Sequence, residues 1–542
     1  MKDIIIAGFH SGHDCSFGIL RNGIPEVHLE LERYVRLKEP MGDALEFLFE
    51  KYKDHGDVQL FATGIDQWHG GPPNRYPDTW AKMEQIRDKN DGGMVICGHH
   101  LAHAANAFYS SNLQDALIIT IDGGGEEVDP DGSVVVGNFT AWVGNDTQIE
   151  CFEVLSDNGM KKSANIGSFW TQCTKRIFGL SAGYPYGHQA GSVMAMACMG
   201  DSSKYLNDFS DYLSDIDSDD FNYEKYNHIA SNSEQDSFDI AAALQKATEM
   251  RVRYLINMYL ERTGSRNLCL SGGVVLNCLM VGKMHEWFDG KVDNIFVDPI
   301  PYDAGLALGS ARFLWHKVLG HPRIKWEDNS TPYLGEKHSL DMINEVLDNN
   351  ADKIEFRTAS DSEVVDLLID KKIVSVFGGR SESGRRALGN RSILADPRHS
   401  DTKDIVNERV KHRQWYRPFA PSILREEVSN WFERDISSPY MSFAIPFRED
   451  KRELVPAVVH FDGTARLQTV TENDNPWYYK LISLFNDKTG VPILLNTSFN
   501  DREPIVEYPE HALNCFLGTE IDYLYFYEKN ILVWRKDAKE DG

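Results

Sequence analysis

Short apolar runs separated by polar turns open the chain and predict a β-meander. The runs at residues 4–7, 16–20 and 27–31 each have the length of a strand. Asn22-Gly23, between the second and third runs, is the two-residue turn typical of a β-hairpin. The turn after the first run carries His13 and Asp14, so polar side chains gather where a ligand could bind.

A second series of apolar runs, at residues 116–121, 133–138 and 140–143, repeats this arrangement. Its first strand ends in a glycine-rich turn at 122–126 that begins with Asp122. Two meanders that each place an acid at the first turn predict a duplicated α/β fold. Other mixed α/β folds share this periodicity, so the pattern alone leaves them open.

The remaining pattern predicts two domains. Residues 202–238 are polar and indicate a surface excursion, residues 238–261 show helical spacing, and short strands are expected at 268–270 and 295–297, followed by a helix to residue 314. Residues 320–335 lack periodicity, so we place the boundary there, between domains 1–330 and 331–542. Short strands are expected in the second domain at 373–377, 491–495 and 521–526.

Composition narrows the class of protein. The 542 residues carry 82 acids and 56 bases, and the net charge of −26 disfavours nonspecific binding of nucleic acid, although a local basic groove remains open. The eight cysteines form no C-x-x-C pair, and several lie in apolar runs, so they read as free buried thiols. We expect a cytoplasmic protein, because free thiols suit a reducing compartment. We expect no membrane partner, because no apolar run is long enough to span a bilayer.

His99 and His103 indicate a metal site in the first domain. Their i, i+4 spacing places both imidazoles on one face of a helix. Asp122 and Asp303 each follow an apolar strand, where α/β folds collect functional groups. Two histidines and two aspartates suit Fe²⁺, Mn²⁺ or Zn²⁺. The alternative is a solvated or core-capping histidine pair.

Residues 379–392 indicate a phosphate-binding loop in the second domain. Four arginines and three glycines lie in this run, and guanidinium groups grip phosphate oxygens where glycines let the backbone approach. No Walker A motif is present. Solvated arginines that pair with nearby acids are the alternative. Further donors are Lys411, Arg413, Arg417, Arg466 and the run at 496–500.

These residues resemble the O-carbamoyltransferase family of nodulation-factor and antibiotic tailoring enzymes (NodU/CmcH type). The resemblance covers nearly the whole chain. In the first domain it rests on H-H-x-x-H-A-x-x-A-F at 99–108, D-G-x-G-E at 122–126, S-G-G-V-x-L-N at 271–277 and D-A-G-x-A-L-G at 303–309. In the second it rests on A-L-G-N-R-S-I at 387–393, A-D-P-R at 395–398, R-P-F-A-P-S at 417–422, H-x-D-G-T-A-R-x-Q-x-V at 460–470, L-N-T-S-F-N at 495–500 and E-P-I-V at 503–506.

The resemblance implies an actin-like (ASKHA) first domain and a YrdC-like α/β second domain. The second domain would form carbamoyl-adenylate from carbamoyl phosphate and ATP with Mg²⁺, and the first would pass the carbamoyl group to an acceptor hydroxyl. The metal ligands would be His99, His103, Asp122 and Asp303, with Fe²⁺ the expected ion. Catalytic roles fall on His13, Asp14 and Lys38. The residues expected to bind the co-substrates are Arg380, Arg386, Asn390, Lys411, Arg417, Arg466, Asn496 and Ser498.

The acceptor stays open between a sugar or natural-product alcohol and a hydroxymethylated pyrimidine in DNA. We expect small-molecule substrates and keep a homodimer open. Two other functions remain alternatives. One is a threonylcarbamoyl-type transferase that modifies tRNA, since that machinery shares both domain types. The other is an actin-like ATP-binding protein without transfer chemistry.

Overall fold

The structure is a computed structural model that describes residues 3–64, 75–156, 165–214, 221–324 and 331–536. The chain divides into two compact parts, Met1–Thr331 (unit 1) and Pro332–Gly542 (unit 2). Both combine helices with sheets, so the predicted mixed α/β class is confirmed.

Unit 1 is built from strands that form two five-stranded sheets and one small ribbon. The strands are β1 Ile5–His10, β2 Ser16–Arg21, β3 Ile24–Glu30, β4 Leu60–Gly64, β5 Gly93–Cys97, β6 Asp115–Val128, β7 Val134–Asn145, β8 Gln148–Ser156, β9 Ala182–Gly183, β10 Gly187–His188, β11 Asn267–Ser271 and β12 Asn294–Val297. The helices are α1 Leu31–Val35, α2 Ala44–Lys51, α3 Pro77–Lys89, α4 His99–Ser110, α5 Ile166–Arg176, α6 Ala190–Ala197, α7 Leu206–Ser214, α8 Tyr223–Ala230, α9 Glu234–Thr263, α10 Cys278–Trp287 and α11 Leu306–Phe313.

The two five-stranded sheets share one topology. The first has the order β3-β2-β1-β4-β5 and the second, read in the same sense, β8-β7-β6-β11-β12. In each, the first three strands are antiparallel and the last two run parallel to the first. The duplication predicted from the two meanders is therefore present in the fold.

The second meander differs in detail from the prediction. The expected strands at 133–138 and 140–143 are one continuous strand, β7, and the third strand is β8. Strand β6 also continues through the expected turn at 122–126, with an irregularity in its pairing between Ile121 and Gly125. The extra residues form a bulge, and pairing with β7 resumes after it. The glycines allow this bulge with little conformational strain.

The polar segment at 202–238 is more ordered than predicted. It contains α7 and α8 in its described part, and α9 begins at Glu234 because the Ser233 hydroxyl accepts a hydrogen bond from Asp236 N. The pattern missed α7 and α8 because their buried aromatic side chains, Phe209, Tyr223 and Tyr226, are spaced among acids and serines. All eight cysteines are free thiols, as predicted, and six of them are buried.

Helices α4 and α11 pack closely against each other in the core of unit 1. Each follows the fifth strand of its half, β5 or β12. A Cβ atom at Gly309 would lie 2.0 Å from the carbonyl oxygen of Ala102, so the two backbones touch. A buried network of polar side chains completes the contact: Asn106 donates to Asp298 at 2.8 Å and accepts from Arg312 at 2.6 Å.

Unit 2 contains one nine-stranded sheet with the order β13-β21-β20-β14-β15-β19-β16-β18-β17. Its strands are β13 Ile354–Thr358, β14 Val374–Phe377, β15 Arg391–Ala395, β16 Ala420–Leu424, β17 Phe443–Pro446, β18 Thr464–Val470, β19 Ile493–Ser498, β20 Tyr523–Phe526 and β21 Ile531–Arg535. Its helices are α12 Leu340–Asn349, α13 Asp361–Ile369, α14 Thr402–Val406, α15 Val428–Trp431, α16 Pro476–Thr489 and α17 Pro509–Gly518. The three strands predicted in this unit are present as β14, β19 and β20.

Within the described ranges, no helix has the length and apolar character that crossing a membrane would require.

The α4–α11 contact predicts opposite effects for two helical Gly→Ala changes. Gly309→Ala should lower the free energy of unfolding by roughly 1–3 kcal/mol, because the methyl group would overlap the Ala102 backbone. Gly191→Ala, in α6, should raise it by about 0.5–1 kcal/mol, because the added methyl meets no atom within 4 Å and alanine favours the helix. Urea unfolding of both variants measures the difference. Equal effects would contradict the close contact.

Candidate metal centre and anion-binding loop

Four predicted ligands meet inside unit 1. His99 is the first residue of α4, His103 lies one turn further, Asp122 lies at the irregularity of β6, and Asp303 immediately precedes α11. One possible ligand atom from each residue lies within 4.8 Å of those from the other three. We call these residues the four-residue cluster.

The distances within the cluster suit a shared cation. His99 Nε2 lies 3.1 Å from Asp122 Oδ2 and 3.7 Å from Asp303 Oδ1. His103 Nε2 lies 3.6 Å from Asp122 Oδ2 and 3.4 Å from Asp303 Oδ1. A tetrahedral site with bonds of about 2.1 Å has ligands about 3.4 Å apart. His103 Nε2 is also buried without a hydrogen bond to any described residue, so the donor set fits a metal ion.

The charges of the cluster compensate each other. Burial opposes ionisation of Asp303, as does Asp122, yet His99 and His13 outweigh both and lower its pKa to about 2. Burial also opposes ionisation of Asp122, but His103 and His99 hold its pKa well below the usual range. The carboxylates are therefore ionised at neutral pH, as metal ligands must be.

The 271–277 motif supports the ligands from behind. Gly273 N donates to Asp122 Oδ1 at 3.0 Å, and Ser271 Oγ lies 3.4 Å from His103 Nδ1. These contacts orient one carboxylate and one imidazole, as outer partners commonly do around metal ligands. In the sequence, this motif serves only as part of the family resemblance, and its supporting role is visible only in the fold.

His100, between the two predicted ligands, has a different role. Its Nε2 donates to Gly137 O at 2.8 Å, and its Nδ1 lies 2.6 Å from Thr120 Oγ1. Burial lowers the pKa of His100 to about 3, so the ring is neutral and connects α4 to β6 and β7. Because both ring nitrogens are engaged by β6 and β7, this third histidine of the motif stays outside the cluster.

His13 and Asp14 lie beside the cluster. His13 Nε2 is 3.3 Å from Asp303 Oδ2, and His13 Nδ1 is 3.2 Å from Asp14 Oδ2. Desolvation lowers the pKa of the ring, but the carboxylates of Asp303 and Asp14 outweigh it and raise the pKa of His13 to about 10. The His13 side chain is 54% exposed, so a ligand can reach it from outside.

Lys38 lies against the β9–β10 ribbon. It follows α1, its backbone N donates to Pro185 O at 3.3 Å, and its side chain lies against Gly187 in β10. The neighbouring Glu39 accepts from His188 Nδ1 at 2.6 Å. Residues 38–39 are therefore held by the β9–β10 ribbon.

The predicted phosphate loop of unit 2 connects β14 to β15 and is shaped by Glu382. Oε1 of this buried carboxylate accepts hydrogen bonds from the backbone N–H groups of Leu388, Asn390 and Arg391, at 2.7, 2.7 and 3.2 Å. No sequence pattern indicates this role, because an acid in a basic loop suggests a solvated ion pair.

Several polar side chains of the loop are engaged by backbone groups. Arg380 donates to Leu334 O at 2.9 Å and Gly335 O at 2.8 Å, and Arg391 donates to Gly378 O at 2.6 Å. Asn390 donates to Arg380 O at 2.8 Å and accepts from Tyr527 at 2.9 Å. Among the predicted ligand-binding residues, Arg380 and Asn390 thus shape the loop, and Arg386 lies half-buried within it.

The other predicted donors come from β19, from β18 and from the segment at 411–417 that precedes β16. Asn496 is in β19 and donates to Ala387 O of the loop at 3.1 Å. Lys411 is buried and donates to Asn500 O at 2.6 Å and to Ser498 O at 2.9 Å, so it holds the end of β19 in place. These contacts bring the loop and the 495–500 motif together.

Arg417 and Arg466 form a concentration of positive charge at β16 and β18. Burial and Arg466 lower the pKa of Arg417 to about 10, and burial followed by Arg417 and Arg466 lowers the pKa of Arg413. Arg413 donates to Asn407 Oδ1 at 2.7 Å, whereas the Arg417 guanidinium has no hydrogen bond or ion pair with any described residue. Half-buried guanidinium groups that destabilise each other's charged form are suited to bind an anion.

A second group of possible metal ligands in unit 2 is satisfied by protein contacts. Glu336, His338 and Glu507 lie close together. Glu507 already accepts hydrogen bonds from Ser381 at 2.8 Å and lies 3.1 Å from His338 Nε2. Its carboxylate has partners without an ion, in contrast to His103.

Family models match most of the chain. The carbamoyltransferase N-terminus model matches residues 72–312, and the carbamoyltransferase C-terminus model matches residues 365–533. The first match contains the four-residue cluster, and the second contains the residues of unit 2 that the sequence predicts to bind anions.

Individual relatives agree with these models. The nodulation protein NolNO of Sinorhizobium fredii is 37% identical over 447 residues, which cover 79% of this chain and 62% of NolNO. The 3'-hydroxymethylcephem-O-carbamoyltransferase of Amycolatopsis lactamdurans is 27% identical over 515 residues, covering 92% of this chain and 93% of the relative. The crystal structure of T. kodakarensis HypF has only weak similarity to this chain, with 15% sequence identity and a TM-score of 0.37. The match covers 60% of this chain and 49% of HypF.

Both halves of the chain thus match one family in the expected order, and the protein belongs to the carbamoyltransferase family of transferases.

Proposed function

We propose that the protein is an ATP-dependent O-carbamoyltransferase that works in two steps. Unit 2 would condense carbamoyl phosphate with ATP to carbamoyl-adenylate, with release of pyrophosphate. Unit 1 would transfer the carbamoyl group to an acceptor hydroxyl. The observation that carries the proposal is the convergence of His99, His103, Asp122 and Asp303 in a chain of this family.

The fold assignments extend the proposal. The shared topology of the two five-stranded sheets in unit 1 supports an actin-like (ASKHA) domain. A YrdC-like character of unit 2 is proposed from its motifs alone. Membership of a transferase family argues against a non-catalytic ATP-binding protein.

In unit 2, the arginines would bind the anionic groups of the co-substrates. Arg417 is half-buried near Arg466 and its guanidinium has no partner among the described residues, so a phosphate would relieve the repulsion between the two charges. Asn496 and Lys411 hold the loop and the 495–500 segment around this charge. Arg386 and Ser498 complete the proposed set. Lys38, proposed as a further contact, belongs to unit 1.

In unit 1, His13 is the exposed histidine next to the cluster and would accept the proton of the acceptor hydroxyl. Asp14 holds the other ring nitrogen and fixes the orientation of the imidazole. When bound at the cluster, a divalent ion (Fe²⁺, Mn²⁺ or Zn²⁺) supplies Lewis-acid polarisation of the carbamoyl carbonyl and offsets the carboxylate charges that keep His13 protonated.

Two acceptors remain in the proposal, a sugar or natural-product alcohol and a hydroxymethylated pyrimidine in DNA. The name of the A. lactamdurans relative describes carbamoylation of a hydroxymethyl group, which both acceptor classes can carry. Incubation of the protein, carbamoyl phosphate and ATP with panels of both, followed by mass spectrometry, should show a gain of one carbamoyl group on one class. Absence of carbamoylation and of pyrophosphate release would refute the proposed reaction.

Removal of one cluster ligand tests the metal site. His103→Ala should lower affinity for the divalent ion by at least about 100-fold, because losses of outer partners already cost about 10–100-fold. Elemental analysis and metal titration measure the change. His228→Ala, an exposed histidine elsewhere in unit 1, should bind metal as the unchanged protein does. Equal metal content in the two variants would contradict the assignment.

The two steps should separate by mutation. Arg417→Ala should reduce carbamoyl-phosphate-dependent release of pyrophosphate by roughly 10- to 150-fold, because it removes a charge-assisted phosphate contact of about 1.5–3 kcal/mol. His13→Asn should keep pyrophosphate release and lose carbamoyl transfer.

Arg409→Ala is the matched control for the arginine variant, since Arg409 is exposed and its guanidinium lies 3.8 Å from Glu520. It should release pyrophosphate at the normal rate. If His13→Asn stopped pyrophosphate release as well, one site would perform both steps and the division of labour would be wrong.

A further inference from the structure

Helix α4, which carries two residues of the four-residue cluster, starts without a capping side chain of its own. Its N-cap residue is Gly98, and no side chain of the cap accepts a hydrogen bond. The first N–H groups of a helix have no partner within the helix, so they need acceptors from elsewhere. A buried helix start therefore depends on a group from another part of the fold.

Glu127, in β6, provides that acceptor. Its Oε2 accepts a hydrogen bond from Leu101 N at 2.7 Å, and its Oε1 accepts from Val128 N at 2.9 Å. The residue is 1% exposed, so water does not replace these contacts. The carboxylate occupies the place that an N-cap side chain takes in most helices.

Gly98 is required by this carboxylate. Its φ of −59° is open to any residue, so backbone conformation does not demand glycine. A Cβ atom at Gly98 would, however, lie 1.9 Å from Glu127 Oε1 and 2.3 Å from Cδ. A side chain at position 98 and the carboxylate of Glu127 therefore exclude each other.

The same strand also supplies a cluster residue and a packing surface. Asp122 Oδ2 lies 3.1 Å from His99 Nε2, and a Cβ at Gly125 would lie 2.2 Å from His99 Cγ. Besides Thr120, which contacts His100, strand β6 contacts α4 through Asp122, Gly125 and Glu127. The last is the contact that holds the helix start by hydrogen bonding.

We propose that Glu127 is a positioning residue for the metal centre: by capping α4 from β6, it sets His99 and His103 opposite Asp122. The inference rests on the proposed metal role of the cluster. Glu127 does not touch the ion in this arrangement, and its effect reaches the site through the helix. Glutamine should not replace it well, because both oxygens accept from N–H groups and an amide would turn a donor toward one of them.

The mutual exclusion of the two side chains allows a rescue experiment. Mn²⁺ titration of metal-free full-length protein compares the unchanged chain with Glu127→Ala, Gly98→Ser and the double variant Gly98→Ser/Glu127→Ala. Each single variant should bind Mn²⁺ roughly 10- to 100-fold more weakly, as for other outer partners of metal ligands. The double variant should recover to within about threefold, because the serine hydroxyl can accept from Leu101 N in the vacated space.

A matched control separates positioning from general loss of stability. Ser233→Ala removes the cap of α9, also in unit 1, where Ser233 Oγ accepts from Asp236 N at 3.1 Å. It should lower the unfolding temperature without weakening Mn²⁺ binding. Thermal unfolding of every metal-free variant accompanies the titrations.

The proposal is overturned if Glu127→Ala binds Mn²⁺ as tightly as the unchanged protein. Failure of the double variant to recover affinity, or equal weakening by Ser233→Ala, would overturn it as well. If the unchanged protein bound no divalent ion, the proposed metal role itself would fall, and this inference with it.

Discussion

Backbone contact between α4 and α11 is what allows unit 1 to assemble a site from its two halves. Gly309 lies directly against the carbonyl of Ala102, and any side chain at 309 would force the helices apart. His99 and His103 come from α4, and Asp303 comes from the start of α11. Separations of 3.1–3.7 Å between the cluster atoms require that the helices meet this closely.

Duplication of the sheet explains why chemistry gathers at this place. The turn after β1 carries His13, and the equivalent region of β6 carries Asp122. The helices that follow the fifth strands supply the remaining residues. Each half therefore offers one group from its first turn and further groups from its last helix or the turn that precedes it. The two halves together surround a small volume with two carboxylates and three imidazoles.

Unit 2 uses the opposite electrostatic arrangement. In unit 1 the carboxylates compensate the positive charge of the imidazoles. In unit 2 Arg417 and Arg466 repel each other, which destabilises their charged forms. In the same unit, Glu382 holds residues 388–391 and Lys411 holds the end of β19 through backbone groups. The first arrangement suits a cation and the second an anion, as the two proposed steps would require.

The sequence by itself determined the features that depend on local spacing and on motif identity. These were the two meanders, the mixed α/β class, the free thiols, the i, i+4 histidines and the family. It indicated no role for His100, because the partners of that ring, Thr120 and Gly137, lie on strands that meet α4 only in the folded chain. It also could not distinguish Arg380 from Arg417. The Arg380 side chain donates to backbone carbonyls, whereas the Arg417 guanidinium has no partner among the described residues.

Tertiary structure decided how each polar residue is used, because hydrogen-bond partners come from distant parts of the chain. Asp122 and Asp303 are 181 positions apart, yet both face the same two imidazoles. Glu127 shows the limit most clearly. Its neighbours in sequence suggest an exposed acid in a glycine-rich turn, and only the packing of β6 on α4 makes it a helix cap. Local pattern specifies elements, whereas the pairing of buried donors and acceptors exists only once those elements are packed.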